Sequence, residues 1–421
     1  MEPIITSMLD NDAYKASMQN FVLQLYPNTV VSYRFKNRGT QRFNQEFLKE
    51  LQNQINYLKD LKLTEEEYIW IKENITYLPI SYIEYLKNFR FNPDNVKISL
   101  TEDNNLELDI QGKWVETILL EVPLMSIISE LYFKIIDTNW SMEGQKEKAE
   151  EKVKKLSRNG CNFAEFGSRR RRSKSTQEIV IQEFVNDNKE YVNNSFKGSS
   201  NIYFSKKFNL TPIGTLGHEI CMGLSVLEGL RNVNYYALEK WLEVYKGDLG
   251  IFLPDTYGSD AFFYSFNKIF SKLYDGIRQD SGSWKEFTDK TITHYKKMGI
   301  NPMSKVIVFS DSLDVDLCIK IKEYCENKIQ CSFGIGTFMT NSFDNSPALN
   351  MVIKLNSVFH NGIEVPVCKL SDSRGKEQGN SEAIRVAKYT FFNEPLDKKK
   401  KYIGIEPGSF ADHLLKISEE E

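Results

Sequence analysis

The sequence predicts an α/β fold in which a parallel β-sheet closes into a barrel, with a smaller mixed layer of helices and strands in addition. From about residue 140, short apolar strands alternate with helices, a pattern typical of parallel sheets with helical crossovers. So many strand–helix units follow one another that a barrel is favoured over an open sheet. The 421 residues, of which 41% are apolar, are enough for a barrel with an additional layer.

The elements before residue 140 form a mixed layer. They are a helix, a strand, two further helices and a hairpin, over residues 10–27, 30–39, 43–58, 64–75 and 96–112. The first helix has apolar residues at helical spacing and ends at Pro27. The strand alternates apolar and polar residues. Thr64 and Glu67 have the spacing of a capping box, which marks the start of the third helix.

Reactive side chains follow the predicted barrel strands. The strands are NFAEFG, TPIGT, LGIFLPDT, DGIRQDSG, KVIVFSD and QCSFGIGT, with NMVIKL and VPVCKLS as further strands. At the ends of the first six strands lie Arg169, His218, Asp255, Arg278 with Asp280, Asp311 and Thr337. Active sites of parallel α/β barrels are built at the carboxyl ends of the strands. The pattern therefore predicts that these residues converge at one mouth of the barrel.

Four consecutive arginines, Arg169–Arg172, follow the first barrel strand. A bare run of this kind is typical of a solvated turn or a nucleic-acid patch. Between a strand and a helix, however, an arginine can bind a phosphate through a bidentate fork. We expect Arg169 and Arg171 to face inward and to bind a phosphate in this way.

The other candidates each have a structural alternative. The GIGT stretch at 334–337 can present backbone N–H groups and a hydroxyl to an anion, or it can be an ordinary turn. Asp255, Asp280 and Asp311 can bind Mg²⁺ through oxygen, or they can cap helices. His218 lacks the His or Cys companions of a zinc site, so it is either a packed side chain or a nucleophile or acid/base.

Composition limits the kind of protein and its compartment. The formal net charge of −3 gives no general attraction to nucleic acid or to anionic membranes. The six cysteines are scattered and form no CxxC pair, as expected in a reducing compartment. The N-terminal residues lack the long apolar run of a signal peptide. We expect a soluble, cytoplasmic protein.

A set of motifs that occur in order carries a resemblance to a known family. They are DNDAYK, YRFKNR, ETILLEVPLMSIISELYF, EFGSRRRRS, GSSNIYFSKKFNLTPIGTLGHE, DTYGSDAFF, GIRQDSG, FSDSLDV, FGIGT, and VIKL with PVCKLSDSRGK. Together, from about Leu9 to Lys376, they resemble the nicotinate phosphoribosyltransferase family. The combination is highly specific, although no single motif is.

This resemblance implies a fold and a reaction. The fold is an irregular α/β barrel with an additional αβ sandwich-like domain. We expect the sandwich-like domain at 1–138, the barrel at 139–371, and a C-terminal segment at 372–421 that packs back on the N-terminal domain. The implied reaction joins nicotinate to phosphoribosyl pyrophosphate, with ATP hydrolysis coupled to it, as an early step of NAD salvage.

The resemblance also implies roles for residues. His218 matches the histidine that becomes phosphorylated, and we expect Asp280 to be catalytic beside it. Nicotinate is expected at Tyr14, Thr215 and Arg278. Phosphoribosyl pyrophosphate is expected at Thr337, Gly336, Arg169 and Arg171. Mg²⁺ is expected at Asp280 and Asp311, ATP is the co-substrate, and a homodimer is a further expectation.

The chain departs from the family pattern at three positions. Ser168 stands where Thr is usual, which keeps a hydroxyl. Ser283 stands where an acid is usual, which removes a charge near the expected metal or pyrophosphate. Gly217 stands where Ala is common, which loosens the His218 loop.

Two alternatives stay open at this point. One is a related enzyme that uses nicotinamide or quinolinate. The other, from a different class, is an RNA- or polyanion-binding protein that uses the Arg169–Arg172 run.

Overall fold

The computed structural model describes residues 1–190, 194–373 and 375–392. Its strands are β1 (Val30–Asn37), β2 (Val96–Leu100), β3 (Leu106–Lys113), β4 (Phe163–Glu165), β5 (Phe196–Ser199), β6 (Thr211–Pro212), β7 (Ile251–Phe252), β8 (Gly276–Gln279), β9 (Val306–Phe309), β10 (Gln330–Ile335), β11 (Met351–His360), β12 (Ile363–Pro366), β13 (Cys368–Lys369) and β14 (Gln378–Gly379). Its helices are α1 (Ala13–Leu25), α2 (Gln45–Tyr57), α3 (Glu65–Asn74), α4 (Ile80–Asn88), α5 (Trp114–Thr117), α6 (Glu121–Ile135), α7 (Gln145–Arg158), α8 (Lys174–Glu190), α9 (Ile202–Phe208), α10 (His218–Leu227), α11 (Val233–Tyr245), α12 (Ser259–Ser265), α13 (Lys268–Leu273), α14 (Trp284–Lys297), α15 (Val315–Cys325), α16 (Thr337–Thr340) and α17 (Ser381–Phe392).

An antiparallel sheet forms the core of the smaller layer. Its strand order is β12-β11-β1-β3-β2. Along β1, Val31, Tyr33 and Phe35 are buried while the residues between them are more exposed, so the predicted alternation is confirmed. The predicted capping box is also present: Thr64 accepts the N–H of Glu67, whose side chain accepts the N–H of Thr64.

A parallel sheet of seven strands curls into an incomplete barrel. Its order is β6-β5-β4-β10-β9-β8-β7, so neighbours in the ring are also neighbours in sequence, with β10 pairing back onto β4. Within the described residues no ladder joins β6 to β7, and the ring is open there. The predicted fold class, an irregular α/β barrel with an additional αβ domain, is confirmed.

Neither NMVIKL nor VPVCKLS, the two further strands predicted, lies in the parallel sheet. NMVIKL lies in β11, which pairs antiparallel with β1. VPVCKLS is divided between the end of β12, which pairs with β11, and β13, which pairs with β14 in a separate two-stranded sheet. The prediction was wrong because an apolar strand has the same local pattern in either sheet; only the length of β11 and its long-range pairing distinguish them. The domain boundaries at 138 and 371 stay a prediction; β11 and β12 return to the first sheet within the range 139–371 that was expected for the barrel.

The described part of the C-terminal segment packs on the parallel-sheet side. Helix α17 contacts β13 and β14. The ring of Phe391 stacks on Tyr257, with ring centroids 5.1 Å apart. Tyr257 follows β7, so these contacts are not to the N-terminal layer that was expected. The rest of the predicted segment, residues 393–421, lies outside the described residues.

Some elements had no strong signal in the sequence. Helices α4, α6 and α7 and strand β5 were not predicted. The stretch DAFFYSFNKIF, predicted as one helix, is divided into α12 and α13 because Asn267 accepts the N–H groups of Ile269 and Phe270 and so starts a new helix. Among the described residues, no helix is long and apolar enough to cross a membrane.

Candidate active site

A cavity of about 760 Å³ lies between the carboxyl ends of the parallel strands and the antiparallel sheet. Of the ten residues to which the family resemblance assigns a role, nine line it: Tyr14, Arg169, Thr215, His218, Arg278, Asp280, Asp311, Gly336 and Thr337. Arg171 is the exception. The convergence predicted from the strand ends therefore occurs within one cavity, and the antiparallel sheet supplies its opposite wall.

The N-terminal segment reaches the cavity by pairing with the chain after β5. The N–H of Ala13 donates to the carbonyl of Ser200 (2.7 Å), and the N–H of Ile202 donates to the carbonyl of Asn11 (2.9 Å). This pairing fixes the start of α1 at the barrel mouth. Tyr14, in the first turn of α1, consequently lies close to the loop before His218, where its ring edge comes within 3.3 Å of the position a Cβ at Gly217 would take.

The four arginines point in different directions. Arg169 and Arg170 line the cavity, whereas Arg171 and Arg172 are fully buried. Arg171 donates to Asp10 (2.7 Å) and to Glu130 (2.9 Å). The expectation that Arg171 binds phosphoribosyl pyrophosphate is therefore wrong, because two buried carboxylates already occupy its guanidinium.

Arg172 has an equally structural environment. Its guanidinium lies over the rings of Phe133 and Phe343 and donates to Asn341 (2.8 Å). With half of the run buried in this way, the arginines do not form the solvated basic patch that a polyanion-binding protein needs.

His218 begins α10, immediately after the loop that follows β6. Its Nε2 lies 2.8 Å from Oδ1 of Asp255 and 2.7 Å from Nζ of Lys369. A neutral imidazole nitrogen either donates or accepts, so these two contacts are alternatives: Nε2–H donates to Asp255, or Lys369 donates to the Nε2 lone pair. Asp255 also accepts from Lys369 (2.9 Å) and from the Ser281 hydroxyl (2.6 Å). Asp255 thus orients His218 and does not cap α12, whose N-cap is Gly258.

The electrostatics keep His218 neutral. Burial, together with the positive charge of Lys369, lowers the pKa of His218 to about 4. Burial alone would raise the pKa of Asp255, but Lys369 and His218 hold it well below its ordinary value. At neutral pH the cluster therefore contains a carboxylate, an ammonium group and an uncharged imidazole, which is the form of histidine that acts as a nucleophile.

Arg278 and Asp280 form a neighbouring pair at the end of β8. Arg278 Nη2 donates to Asp280 Oδ1 (2.8 Å), and Ser310 bridges the two side chains through Arg278 Nε (2.7 Å) and Asp280 Oδ1 (2.8 Å). The guanidinium lies 5.9 Å from the centroid of the Phe166 ring. Burial opposes ionisation of Asp280, yet Arg278 and Lys369 lower its pKa below the ordinary value. Asp280 is therefore ionised, and one edge of Arg278 is left for a ligand.

Potential metal ligands gather beside His218. Within the described part of the chain, only one cluster of three or more His, Cys, Asp or Glu side chains could hold a metal ion. It consists of His218, Asp255 and Asp280, whose ligand atoms lie within 4.8 Å of one another. Asp311 lines the cavity but is not in this group; its carboxylate contacts the Ser312 hydroxyl (2.9 Å). The expected pairing of Asp280 with Asp311 as metal ligands is thus not found, and Asp255 lies closer to Asp280.

The GIGT stretch ends β10 and begins α16. Gly334 lies against Phe166, whose ring would come within 2.2 Å of a Cβ at that position. A side chain there would displace the ring, so the glycine permits a close approach. Gly336 is the N-cap of α16 and Thr337 its first residue. Backbone N–H groups at a helix start suit an anion, although α16 is only four residues long.

Several cavity residues were not identified from the sequence. Lys369 lies in VPVCKLS and Lys354 in NMVIKL, and both line the cavity with Arg38. A lysine inside an otherwise apolar strand was the available signal. Burial lowers the pKa of Lys354 to about 8. Within the described residues, Lys354 makes no hydrogen bond or ion pair, although the charge of Glu121, which also lines the cavity, opposes the lowering of its pKa.

The Ser283 departure has a local structural role. Ser283 is the N-cap of α14 and accepts the N–H of Glu286. Its hydroxyl is therefore used by the helix, and the charge that an acid would bring to the end of β8 is absent.

Comparison with known proteins identifies the family. Residues 161–395 match the model of the nicotinate phosphoribosyltransferase (NAPRTase) family, and residues 9–129 match the model of the NAPRTase N-terminal domain. A nicotinate phosphoribosyltransferase from Methanococcoides burtonii is 50% identical over 414 residues, covering 94% of this chain and 100% of its own length. One from Saccharomyces cerevisiae is 39% identical, covering 92% of this chain and 95% of its own length.

Solved structures agree with these sequence matches. The crystal structure of nicotinate phosphoribosyltransferase from Porphyromonas gingivalis superposes with a TM-score of 0.89 at 34% identity, covering 92% of this chain and 100% of that one. The corresponding structure from Vibrio cholerae gives a TM-score of 0.86 at 31% identity, covering 100% and 98%. The chain is therefore a member of the nicotinate phosphoribosyltransferase family of enzymes.

Proposed function

We propose that this enzyme converts nicotinate, phosphoribosyl pyrophosphate, ATP and water into nicotinate mononucleotide, pyrophosphate, ADP and phosphate, as a step of NAD salvage. The observation that carries the proposal is that a buried, neutral His218 shares one cavity with Tyr14, Arg278 and the GIGT loop. The residues proposed to accept the phosphoryl group, to bind the aromatic acid and to bind the 5-phosphate thus line one cavity.

Nicotinate is a flat aromatic carboxylate, and two cavity features suit it. The rings of Tyr14 and Phe166 line the cavity and offer faces for stacking. Arg278, beside Phe166, can bind the carboxylate through charge-assisted hydrogen bonds. The Thr215 hydroxyl donates its hydrogen to the carbonyl of Ile251 (2.7 Å), so Thr215 would contribute a packing contact to the nicotinate ring and not a hydrogen bond to its carboxylate.

Phosphoribosyl pyrophosphate carries several negative charges, and the cavity provides cations on opposite walls. Gly336 and Thr337 would bind the 5-phosphate at the start of α16. Arg169 reaches the cavity from the barrel, and Lys354 with Arg38 from the antiparallel sheet. Developing charge on the departing pyrophosphate would be balanced by these fixed cations, which need no rearrangement during the reaction.

His218 is proposed to accept the γ-phosphoryl group of ATP. A bond forms between an imidazole nitrogen and the γ-phosphorus, the bond from that phosphorus to the bridging oxygen breaks, and ADP leaves with the electron pair. Water later attacks the phosphohistidine and releases phosphate. Asp255 holds the ring during this step and stabilises the positive charge that develops on it.

The potential metal ligands beside His218 suit Mg²⁺ only in part. Asp255 and Asp280 supply the oxygen ligands that Mg²⁺ prefers, but the third donor is a nitrogen, and the Lys369 ammonium already lies 2.9 Å from Asp255. The residues therefore fit a Mg²⁺ held mainly by Asp280 and by substrate phosphates. When bound, the ion would neutralise phosphate charge.

We also propose that the enzyme forms a homodimer and is located in the cytoplasm.

Steady-state assays separate the candidate reactions. Product formation is measured with nicotinate, nicotinamide or quinolinate, each with and without ATP. We expect nicotinate to be used in preference to the other two and ATP to stimulate its use. Preference for nicotinamide or quinolinate would contradict the proposed substrate. RNA binding that weakens steeply with salt would support the polyanion alternative.

A further inference from the structure

The residues that follow Tyr14 and His218 form an ion pair with each other. Lys15 Nζ lies 2.6 Å from Oε2 of Glu219. The Lys15 side chain is 0% exposed and that of Glu219 is 9% exposed. Since Tyr14 and His218 are both in the first turn of their helices, this buried pair joins the start of α1 directly to the start of α10.

The pair belongs to a longer series of alternating charges. Lys15 Nζ also lies 2.6 Å from Oε2 of Glu121, and Glu121 Oε1 lies 3.2 Å from Arg169 Nη1. All four residues also line the cavity. The series Arg169–Glu121–Lys15–Glu219 therefore runs along the cavity wall to the residue next to His218.

Glu219 is held on its other side as well. It accepts from the Tyr33 hydroxyl and from Trp114 Nε1 (2.7 Å). Both donors come from the antiparallel-sheet layer. A buried polar network whose members are all satisfied is rigid and has one preferred arrangement.

Stability alone is a poor explanation for this network. Buried ion pairs commonly add little stability compared with apolar residues of the same volume, because desolvation offsets their attraction. Neither Lys15 nor Glu219 bonds to His218, Asp255 or Asp280. What the pair does determine is the relative position of two helix starts.

We propose that Lys15 and Glu219 are positioning residues that couple the nicotinate side of the cavity, at Tyr14, to phosphorylation at His218. The inference rests on the proposed function. Phosphorylation adds negative charge beside Glu219, and any displacement of that turn is transmitted through Lys15 to the turn that bears Tyr14. Coupling between two binding events is reciprocal, so nicotinate should also favour phosphorylation.

The test compares Glu219→Gln with the wild-type enzyme. Glutamine keeps the shape and one acceptor but loses the charge that binds Lys15. The Michaelis constant for nicotinate is measured without and with ATP. The value without ATP divided by the value with ATP reports the coupling. We expect a wild-type ratio of about 5 to 150, the usual range for coupled sites, and a ratio near 1 in Glu219→Gln. His218 should still be labelled by γ-labelled ATP in the variant.

Glu130→Gln is the matched control. Glu130 is equally buried and pairs with Arg171 away from the cavity, so its loss should lower stability while the ratio stays at the wild-type value. An unchanged ratio in Glu219→Gln, or an equal fall in Glu130→Gln, would overturn the coupling. Absence of label and of ATP stimulation in the wild-type enzyme would instead contradict the proposed function.

A second variant protects the test against misfolding. Tyr33→Phe removes one hydrogen bond to Glu219 and leaves every charge in place. We expect the ratio to fall part of the way towards 1. If Glu219→Gln does not fold and Tyr33→Phe keeps the full wild-type ratio, the inference is wrong.

Discussion

At the scale of single residues, the charge state of His218 depends on its neighbours. Lys369 and burial both favour the neutral ring, while Asp255 and Asp280 favour the protonated one. The balance leaves His218 able to attack phosphorus at neutral pH. Lys369 therefore serves the site through electrostatics as well as by contact, although no role was predicted for it within the PVCKLSDSRGK motif that contains it.

Removing Lys369 should change the pH dependence of phosphorylation. In Lys369→Met the pKa of His218 should rise from about 4 towards the ordinary value of about 6.5, because a lowering charge is lost. The acid limb of the pH–rate profile for phosphate incorporation should move to higher pH. Lys369→Arg keeps the charge and should keep the wild-type limb; a limb that does not move in Lys369→Met contradicts this explanation.

The sign of the linked effect on stability follows from the same pKa. A histidine whose pKa is lower in the folded state binds fewer protons there than in the unfolded chain. Its contribution to stability is thus complete above the unfolded pKa and is lost as the pH falls from about 6.5 towards 4.

Arg278 should determine nicotinate affinity. Arg278→Lys keeps the charge but loses the planar pair of donors, so the Michaelis constant for nicotinate should rise, by an amount corresponding to about 1–3 kcal/mol for one charge-assisted contact. Steady-state kinetics with each substrate varied in turn measure the effect. A change confined to the constant for phosphoribosyl pyrophosphate would mean that Arg278 binds the other substrate.

At the scale of elements, the GIGT turn and α16 form the proposed site for the 5-phosphate. Thr337→Val nearly keeps the side-chain shape and removes the hydroxyl. Binding of phosphoribosyl pyrophosphate should weaken by about 0.5–1.5 kcal/mol, the net value of a typical hydrogen bond. The affinity for nicotinate, measured without phosphoribosyl pyrophosphate, should not change. Calorimetry that shows equal weakening of both ligands would indicate damage to the cavity rather than loss of one contact.

The start of α3 offers an element-scale test that is independent of the active site. Thr64 and Glu67 form a reciprocal capping box, so Thr64→Ala should lower the free energy of unfolding by about 1 kcal/mol. Denaturant unfolding measures this change. The kinetic constants should stay at wild-type values, and a loss of activity without a loss of stability would contradict a purely structural role.

The sequence predicted whether a segment is a helix or a strand better than it predicted which strands pair with each other. Alternating apolar residues identified β1 and the capping residues identified the start of α3, because both signals are local. The same local pattern in NMVIKL could not tell the parallel sheet from the antiparallel one. That choice depends on pairing with β1, over 300 residues earlier in the chain. Similarly, a run of arginines predicts charge but does not separate its members: Arg169 lines the cavity as expected, whereas the buried ion pairs of Arg171 had no signal in the sequence.

At the scale of the whole molecule, the cavity exists because the chain returns to its first sheet. The barrel strands supply His218, Asp280 and Thr337, and then β11 crosses back to pair with β1. This return brings Lys354 to the wall opposite the barrel, and β13 brings Lys369 beside His218. The site is thus assembled from both layers.

Direct labelling tests whether His218 accepts a phosphoryl group from ATP. The wild-type enzyme and His218→Ala are incubated with γ-labelled ATP, and acid-labile label on the protein is measured. We expect label on the wild-type enzyme and none on the variant, which should keep a slow formation of nicotinate mononucleotide that ATP no longer stimulates. His218 is not the phosphoryl acceptor if His218→Ala carries as much acid-labile label as the wild-type enzyme, or if ATP still stimulates the variant.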